Sequence, residues 1–169
     1  MLQEKKEEIY YPLIKDKLSE LFNKKGAIIN LEITANGIFS NNLKSKIPSN
    51  HEIIFLFLKK AAPDITGYVE KVALPGFIVV EIKKDKIELD DIYQLAKYAD
   101  LFDAKFAFLI SLKIIPEEIK RLLKSLSLLS KLKGSIYKAF TLAQFDTHSN
   151  EFTDWFEENP FLESIYWKE

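Results

Sequence analysis

Two carboxylates and an amine stand where a divalent cation and an anionic ester could meet. Asp64 follows Pro63, while Glu81 and Lys83 close the apolar run Phe77-Ile78-Val79-Val80. Asp and Glu offer hard oxygen ligands, and a divalent cation held by them polarises a phosphate and activates water. The backbone carbonyl of Ile82 is available as a third oxygen. Lys83 lies two residues beyond Glu81, so in an extended strand it points the same way. From there it can orient the attacking water or offset charge that builds on the phosphate. Such a set suits metal-assisted hydrolysis of an anionic ester such as a phosphodiester, for which Mg2+ is the expected cofactor and Mn2+ its substitute. Taken alone, an acid and a lysine near a strand end are more often a solvated tip or a salt bridge.

Such a site needs elements that converge. The spacing predicts a hairpin of strands over Asp64–Glu70 and Gly76–Lys83. With Asp64 opposite Glu81, Glu70 faces Pro75 and Lys71-Val72-Ala73-Leu74 makes the connection, a length common in hairpins. Asp64, Thr66, Tyr68, Phe77, Val79, Glu81 and Lys83 then share one face, and Ile65, Gly67, Val69, Ile78, Val80 and Ile82 take the other. A helix over about Leu89–Phe102 follows, with Ile92, Leu95, Ala99 and Phe102 as its core stripe. Gln94 and Tyr98 lie four apart on one side of it. They are expected at the margin of the buried face, where amide and phenol can position a substrate.

Pro63-Asp64-Ile65, the strand ending in Glu81-Ile82-Lys83 and the helical Gln94-x-x-x-Tyr98 occur in that order. This order resembles the PD-(D/E)XK nuclease superfamily, and the Gln-x-x-x-Tyr element is similar to that of its RecB-type branch. The resemblance spans about residues 8–112. It implies a restriction-endonuclease-like fold, a central mixed sheet flanked by helices, with Asp64, Glu81 and Lys83 catalytic and Asp64, Glu81 and the Ile82 carbonyl on the metal. It also implies a glutamate on the first helix pointing at the metal. Glu8 is the expected residue, with Glu7 and Glu4 as competitors. The implied partner is DNA, with RNA left open, and a second copy or a helicase or repair protein as further partners. The alternative is a catalytically inactive nucleic-acid-binding or protein-interaction module of a larger assembly.

The rest of the chain reads as follows. A first helix spans Gln3–Lys25, with Pro12 marking a kink or a late start and Gly26 just beyond its end. A strand covers Ala27–Thr34, and Glu32 on it is structural. Asn36–Asn50 reads as a loop. Ser49-Asn50-His51-Glu52 has capping-box spacing ahead of Ile53–Leu58, which reads as a short buried helix, with a strand as the alternative. A strand over Lys105–Leu112, a helix from Pro116 to about Leu132, a stop at Gly134 and a strand over Ser135–Gln144 come next. Glu151–Trp167 is expected to be helical, broken at Asn159-Pro160. The order αβ(α)ββαβαβα predicts an α/β protein.

The 169 residues suit a single domain, with residues about 147–169 as an aromatic extension. There is no cysteine, which excludes disulfides and thiolate metal sites. Net charge is −1 and Arg121 is the only arginine, so bidentate guanine readout has almost no donor. His51 and His148 are isolated and form no metal-ligand spacing. The longest apolar run, Ile53–Leu58, is too short to span a bilayer, and the charged N-terminus lacks a signal-peptide core. No membrane partner and a cytoplasmic location are expected. The C-terminal aromatics Phe152, Trp155, Phe156, Phe161, Tyr166 and Trp167 are interleaved with acids that repel phosphate, so core packing or a dimer contact is expected of them.

Overall fold

Apolar residues alternate or run continuously through six segments, and these become the strands of one sheet. The computed structural model describes residues 8–168. Helix α1 (Tyr11–Lys24) is followed by β1 (Ile28–Ile33), the short helices α2 (Asn41–Ser45) and α3 (Ile54–Leu58), then β2 (Ile65–Glu70) and β3 (Gly76–Lys83). Next come α4 (Leu89–Phe102), β4 (Phe106–Ser111), α5 (Glu117–Leu126), α6 (Leu128–Lys133), β5 (Ala139–Asp146) and β6 (Glu151–Phe156). The strands lie side by side in chain order. The pairs β1–β2, β2–β3 and β5–β6 are antiparallel, while β3–β4 and β4–β5 are parallel. Both parallel pairs are joined by helical crossovers, as parallel pairing requires. The fold is α/β, a mixed open sheet flanked by helices.

β3 shows why its sequence is apolar almost throughout. Ile78, Val80 and Ile82 are buried with Ile14, Leu18 and Phe22 of α1, while Phe77 and Val79 are buried with α3 and α4. A strand covered on both faces reads as a continuous hydrophobic run. The hairpin register, Ile65↔Val80 through Val69↔Gly76, is the one expected. Gly67 admits the neighbouring strand: a Cβ there would stand 2.4 Å from Leu31 Cδ2.

Several boundaries differ from expectation. α1 starts at Tyr11, with Pro12 in its first turn, where the missing N–H costs no hydrogen bond. The expected start at Gln3 lies outside the described residues. The segment expected as a loop contains α2, whose cap Ser40 accepts from the Leu43 N–H. Glu32 in turn accepts from the Ser40 N–H and hydroxyl, a structural role. Ser49 caps nothing; a 3-10 turn (Ser49–His51) precedes α3, and α3 buries only Ile54 and Leu58. The helix expected to reach Leu132 breaks at Ser127, where φ is +47°. β5 begins at Ala139 rather than Ser135.

The largest correction concerns the C-terminus. The stretch expected to be helical is β6 followed by two 3-10 turns, Pro160–Leu162 and Ser164–Tyr166. Residues three apart in a regular strand face opposite ways. An irregularity in the β5–β6 pairing, with Asp154 at φ +49°, lets Phe152 and Trp155 both pack on the α1 face, their rings 5.3 Å apart. The tail aromatics are core packing, as composition predicts. No helix among the described residues is long and apolar enough to cross a membrane.

Candidate active site

β3 runs past the end of β2. The last paired residues are Ile65 and Val80, so Glu81, Ile82 and Lys83 continue with β4 alone beside them. The Ile82 N–H, on the β2 flank, thus has no strand partner. Asp64 supplies one: its Oδ2 accepts from Ile82 N–H at 2.8 Å. Glu81 Oε1 accepts from the Asp64 N–H at 3.2 Å. Each of the two acids therefore satisfies the other segment's backbone, which holds both carboxyl groups at the strand end. By the geometry of the pleat the Ile82 carbonyl leaves the chain on that same flank.

Asp64 precedes β2 instead of lying in it, and β1 braces it there. Thr34 N–H donates to the Asp64 carbonyl at 2.9 Å, and Thr34 Oγ1 donates to the Pro63 carbonyl at 2.7 Å. The buried Thr66 hydroxyl lies 2.8 Å from Thr34 Oγ1. Tyr11, at the start of α1, donates its hydroxyl to Asp64 Oδ1 at 2.9 Å. Both helical layers therefore reach the site: α1 through Tyr11, α4 through Gln94 and Tyr98.

Lys83 Nζ stands 3.6 Å from Glu81 Oε2 and 3.3 Å from Asp91 Oδ1, and donates to Gln94 Oε1 at 3.3 Å. Gln94 Nε2 donates to the Tyr98 hydroxyl at 3.3 Å. The sequence-predicted Asp64, Glu81, Lys83, Gln94 and Tyr98 are thus brought together in one connected row. Tyr98 departs from expectation in one respect. It is not at the margin but 1% exposed, its ring in the core and its hydroxyl alone at the site. Tyr98→Phe is accordingly expected to cost about 1 kcal/mol in a urea melt, the worth of one hydrogen bond. A several-fold larger loss would make the phenol a structural anchor. Alanine would add a core cavity and is the wrong probe.

Glu8 is exposed, and its charge reaches Asp64 as the weakest of five influences there. Glu4 and Glu7 lie outside the described residues. Among the described residues, no three His, Cys, Asp or Glu side chains cluster around one point. Glu8 is therefore a neighbour of the carboxylate pair and not part of a cluster with it.

Burial dominates the electrostatics. Glu81 is pushed up to about 8 by burial and then by the charge of Asp64, against the pull of Lys83. Asp64 is raised by burial too, opposed by the Ile82 N–H and the Tyr11 hydroxyl. Burial pushes Lys83 down, yet the carboxylates of Glu81 and Asp91 outweigh it and leave its pKa raised. When Glu81 and Asp64 are both ionised, the Lys83 ammonium, which also pairs with Asp91, leaves negative charge uncompensated. Two carboxylates with a main-chain carbonyl form an all-oxygen donor set, the kind a hard divalent cation prefers. The residues fit such an ion.

Tyr11, Thr34 and Asp91 join the site without having been expected from the sequence. Asp91 carries a local signal, since its Oδ2 accepts from the Glu88 N–H at 2.9 Å as a helix-capping residue should. Nothing local marks Tyr11. A groove of about 520 Å³ lined by Ile53, Tyr68, Pro75 and Phe77 lies at the other end of β3, away from Glu81 and Lys83. No family model, curated protein or solved structure matches the chain.

Proposed function

We propose that the protein is a Mg2+-dependent nuclease that hydrolyses phosphodiester bonds in DNA, with Mn2+ able to substitute. The observation that carries this reading is the meeting of Asp64, Glu81 and Lys83 beyond the end of β2, with both acids tied to backbone and the amine beside Glu81. Asp64, Glu81 and the Ile82 carbonyl would hold the ion, which when bound polarises the phosphate and activates a water. Lys83 supplies a positive group next to the reacting phosphate, where it offsets charge that develops in the transition state. Gln94 fixes the Lys83 ammonium through its amide oxygen, and Tyr98 fixes Gln94. The hydrogen bonds to Asp64 from Tyr11 and Ile82 leave it little freedom, which favours a preformed geometry. Glu8 adds negative charge at the α1 side of the site.

Purified protein incubated with linear, circular, single-stranded and branched DNA, and with RNA, tests the reading. Cleavage of DNA with Mg2+ or Mn2+, abolished by a chelator, is the expected result. If no substrate is cut under either metal, the nuclease reading fails and the catalytically inactive module takes its place.

A further inference from the structure

Helix α3 carries apolar side chains on the wrong side. Ile54 and Leu58 are buried, but Leu56 and Phe57 are 59% and 71% exposed, and Ile53 just ahead of them is 57% exposed. Ile53 lines the groove beside Tyr68 and Phe77, which leaves Leu56 and Phe57 as two adjacent large apolar side chains in water, a surface of the kind that a partner covers. The surrounding charge says what kind of partner. Residues 40–62 contain Lys44, Lys46, Lys59 and Lys60 against a single acid, Glu52, in a chain whose net charge is −1, and of these lysines Lys46 is paired with Glu70 at 3.6 Å. Lys59 and Lys60, directly after the exposed ring, are themselves exposed.

The position of α3 ties this surface to the candidate site. Leu58 is buried in the same cluster as Val79, Leu95 and Tyr98, so α3 lies on the sheet face that carries Glu81 and Lys83. Its end is fixed by the turn after β1. Gly37, at φ +77°, sits so close that a Cβ would stand 2.8 Å from the Lys59 carbonyl and 2.9 Å from that of Leu58. That turn is closed by Gly37 N–H donating to the Thr34 carbonyl at 2.8 Å, and Thr34 also holds Pro63 and Asp64. The end of α3 and the carboxylate Asp64 are thus mounted on one support.

We propose that the exposed side of α3 is a stacking ledge for single-stranded DNA leading to the candidate site. Phe57 and Leu56 take base faces, and Lys59 and Lys60 take phosphates. Aromatic rings next to lysines suit a single strand, whose bases are free to stack, better than a duplex, whose base faces are hidden. The choice of ligand rests on the nuclease reading, but binding to the ledge needs no cation.

Fluorescence anisotropy with a labelled oligothymidine in EDTA, at several salt concentrations, tests the ledge apart from catalysis. L56S/F57S is expected to weaken binding roughly 10-fold or more with the salt slope unchanged. K59A/K60A is expected to reduce the slope of log affinity against log salt by about 1.4, near 0.7 for each phosphate that no longer meets a lysine. Circular dichroism melts should show both variants folded like the wild type, because the substituted side chains are exposed. Folded variants that bind like the wild type, or a wild type that does not bind the strand, overturn the ledge. Cleavage that persists with unaltered affinity in both variants sinks the ledge and spares the nuclease. Binding that depends on Phe57 in a protein that cuts nothing does the reverse. Should the wild type self-associate in sedimentation and L56S/F57S be monomeric with unchanged DNA affinity, the surface is a dimer contact and the ledge is wrong.

Discussion

Glu81→Gln is expected to abolish Mn2+ binding and cleavage and, at pH 9, to make the protein more stable than the wild type. The two effects share one cause. Glu81 is 3% exposed, and burial with the Asp64 charge raises it from an ordinary 4.5 to about 8. Below pH 4.5 the folded and unfolded chains both carry the proton. Between 4.5 and 8 the unfolded chain has lost it while the folded one still holds it, so stability falls as pH rises through that window. Above 8 the folded protein bears a buried carboxylate at full cost, at most about 5 kcal/mol at 1.36 kcal/mol per pKa unit. The raised Asp64 acts in the same direction. Glutamine keeps the shape and never ionises, so urea melts at pH 5 and pH 9 should differ less for the variant, in which only Asp64 remains, than for the wild type. A cation needs the ionised form, so Mn2+ affinity of the wild type should rise with pH towards 8. Loss of the ion removes several kcal/mol of transition-state stabilisation, about 10³-fold in rate or more. A variant that still binds Mn2+ and cuts DNA would sink the assignment of Glu81.

Lys83→Ala is expected to separate binding of the ion from catalysis. The amine supplies no ligand oxygen, so calorimetric titration should still find Mn2+ bound. The cleavage rate should nevertheless fall by about 10²-fold or more, since one well-placed electrostatic group is worth about 2.7–4 kcal/mol. Loss of the nearest positive charge leaves Glu81 without its main compensation and removes a lesser one from Asp64, which keeps its hydrogen bonds from Ile82 and Tyr11, so Mn2+ binding should shift to higher pH. Lys83→Arg keeps the charge but changes the donor geometry, and partial recovery is expected of it. If Lys83→Ala cuts as fast as the wild type, the ammonium is only an ion-pair partner of Glu81 and Asp91, and the mechanism loses its electrostatic element.

The parts of the site legible in the sequence are those set by short-range periodicity. The two-residue period of a strand over Gly76–Lys83 and the hairpin length place Glu81 and Lys83 on one face, and the register Ile65↔Val80 follows from them. The 3.6-residue stripe of Leu89–Phe102 likewise locates α4, with Gln94 beside Lys83. Apolar runs bounded by turn residues are enough to place the α/β class. Where local pattern misleads, a distant partner decides the outcome. Glu151–Phe156 has helix-compatible spacing, yet an open edge of β5 and an apolar face of α1 make a bulged strand the conformation that buries Phe152 and Trp155. Tyr98 reads as a rim residue because its helix alone cannot say what packs around it, and in the fold its ring belongs to the core on that face of the sheet. Tyr11 reaches Asp64 across the end of the sheet, a contact between residues 53 apart that no local pattern encodes. The raised pKa of Glu81 has the same origin. Residue types and periodicity determined which groups could do chemistry; only the enclosure of two carboxyls at a strand end, with the Lys83 ammonium beside one of them, decided how readily they ionise.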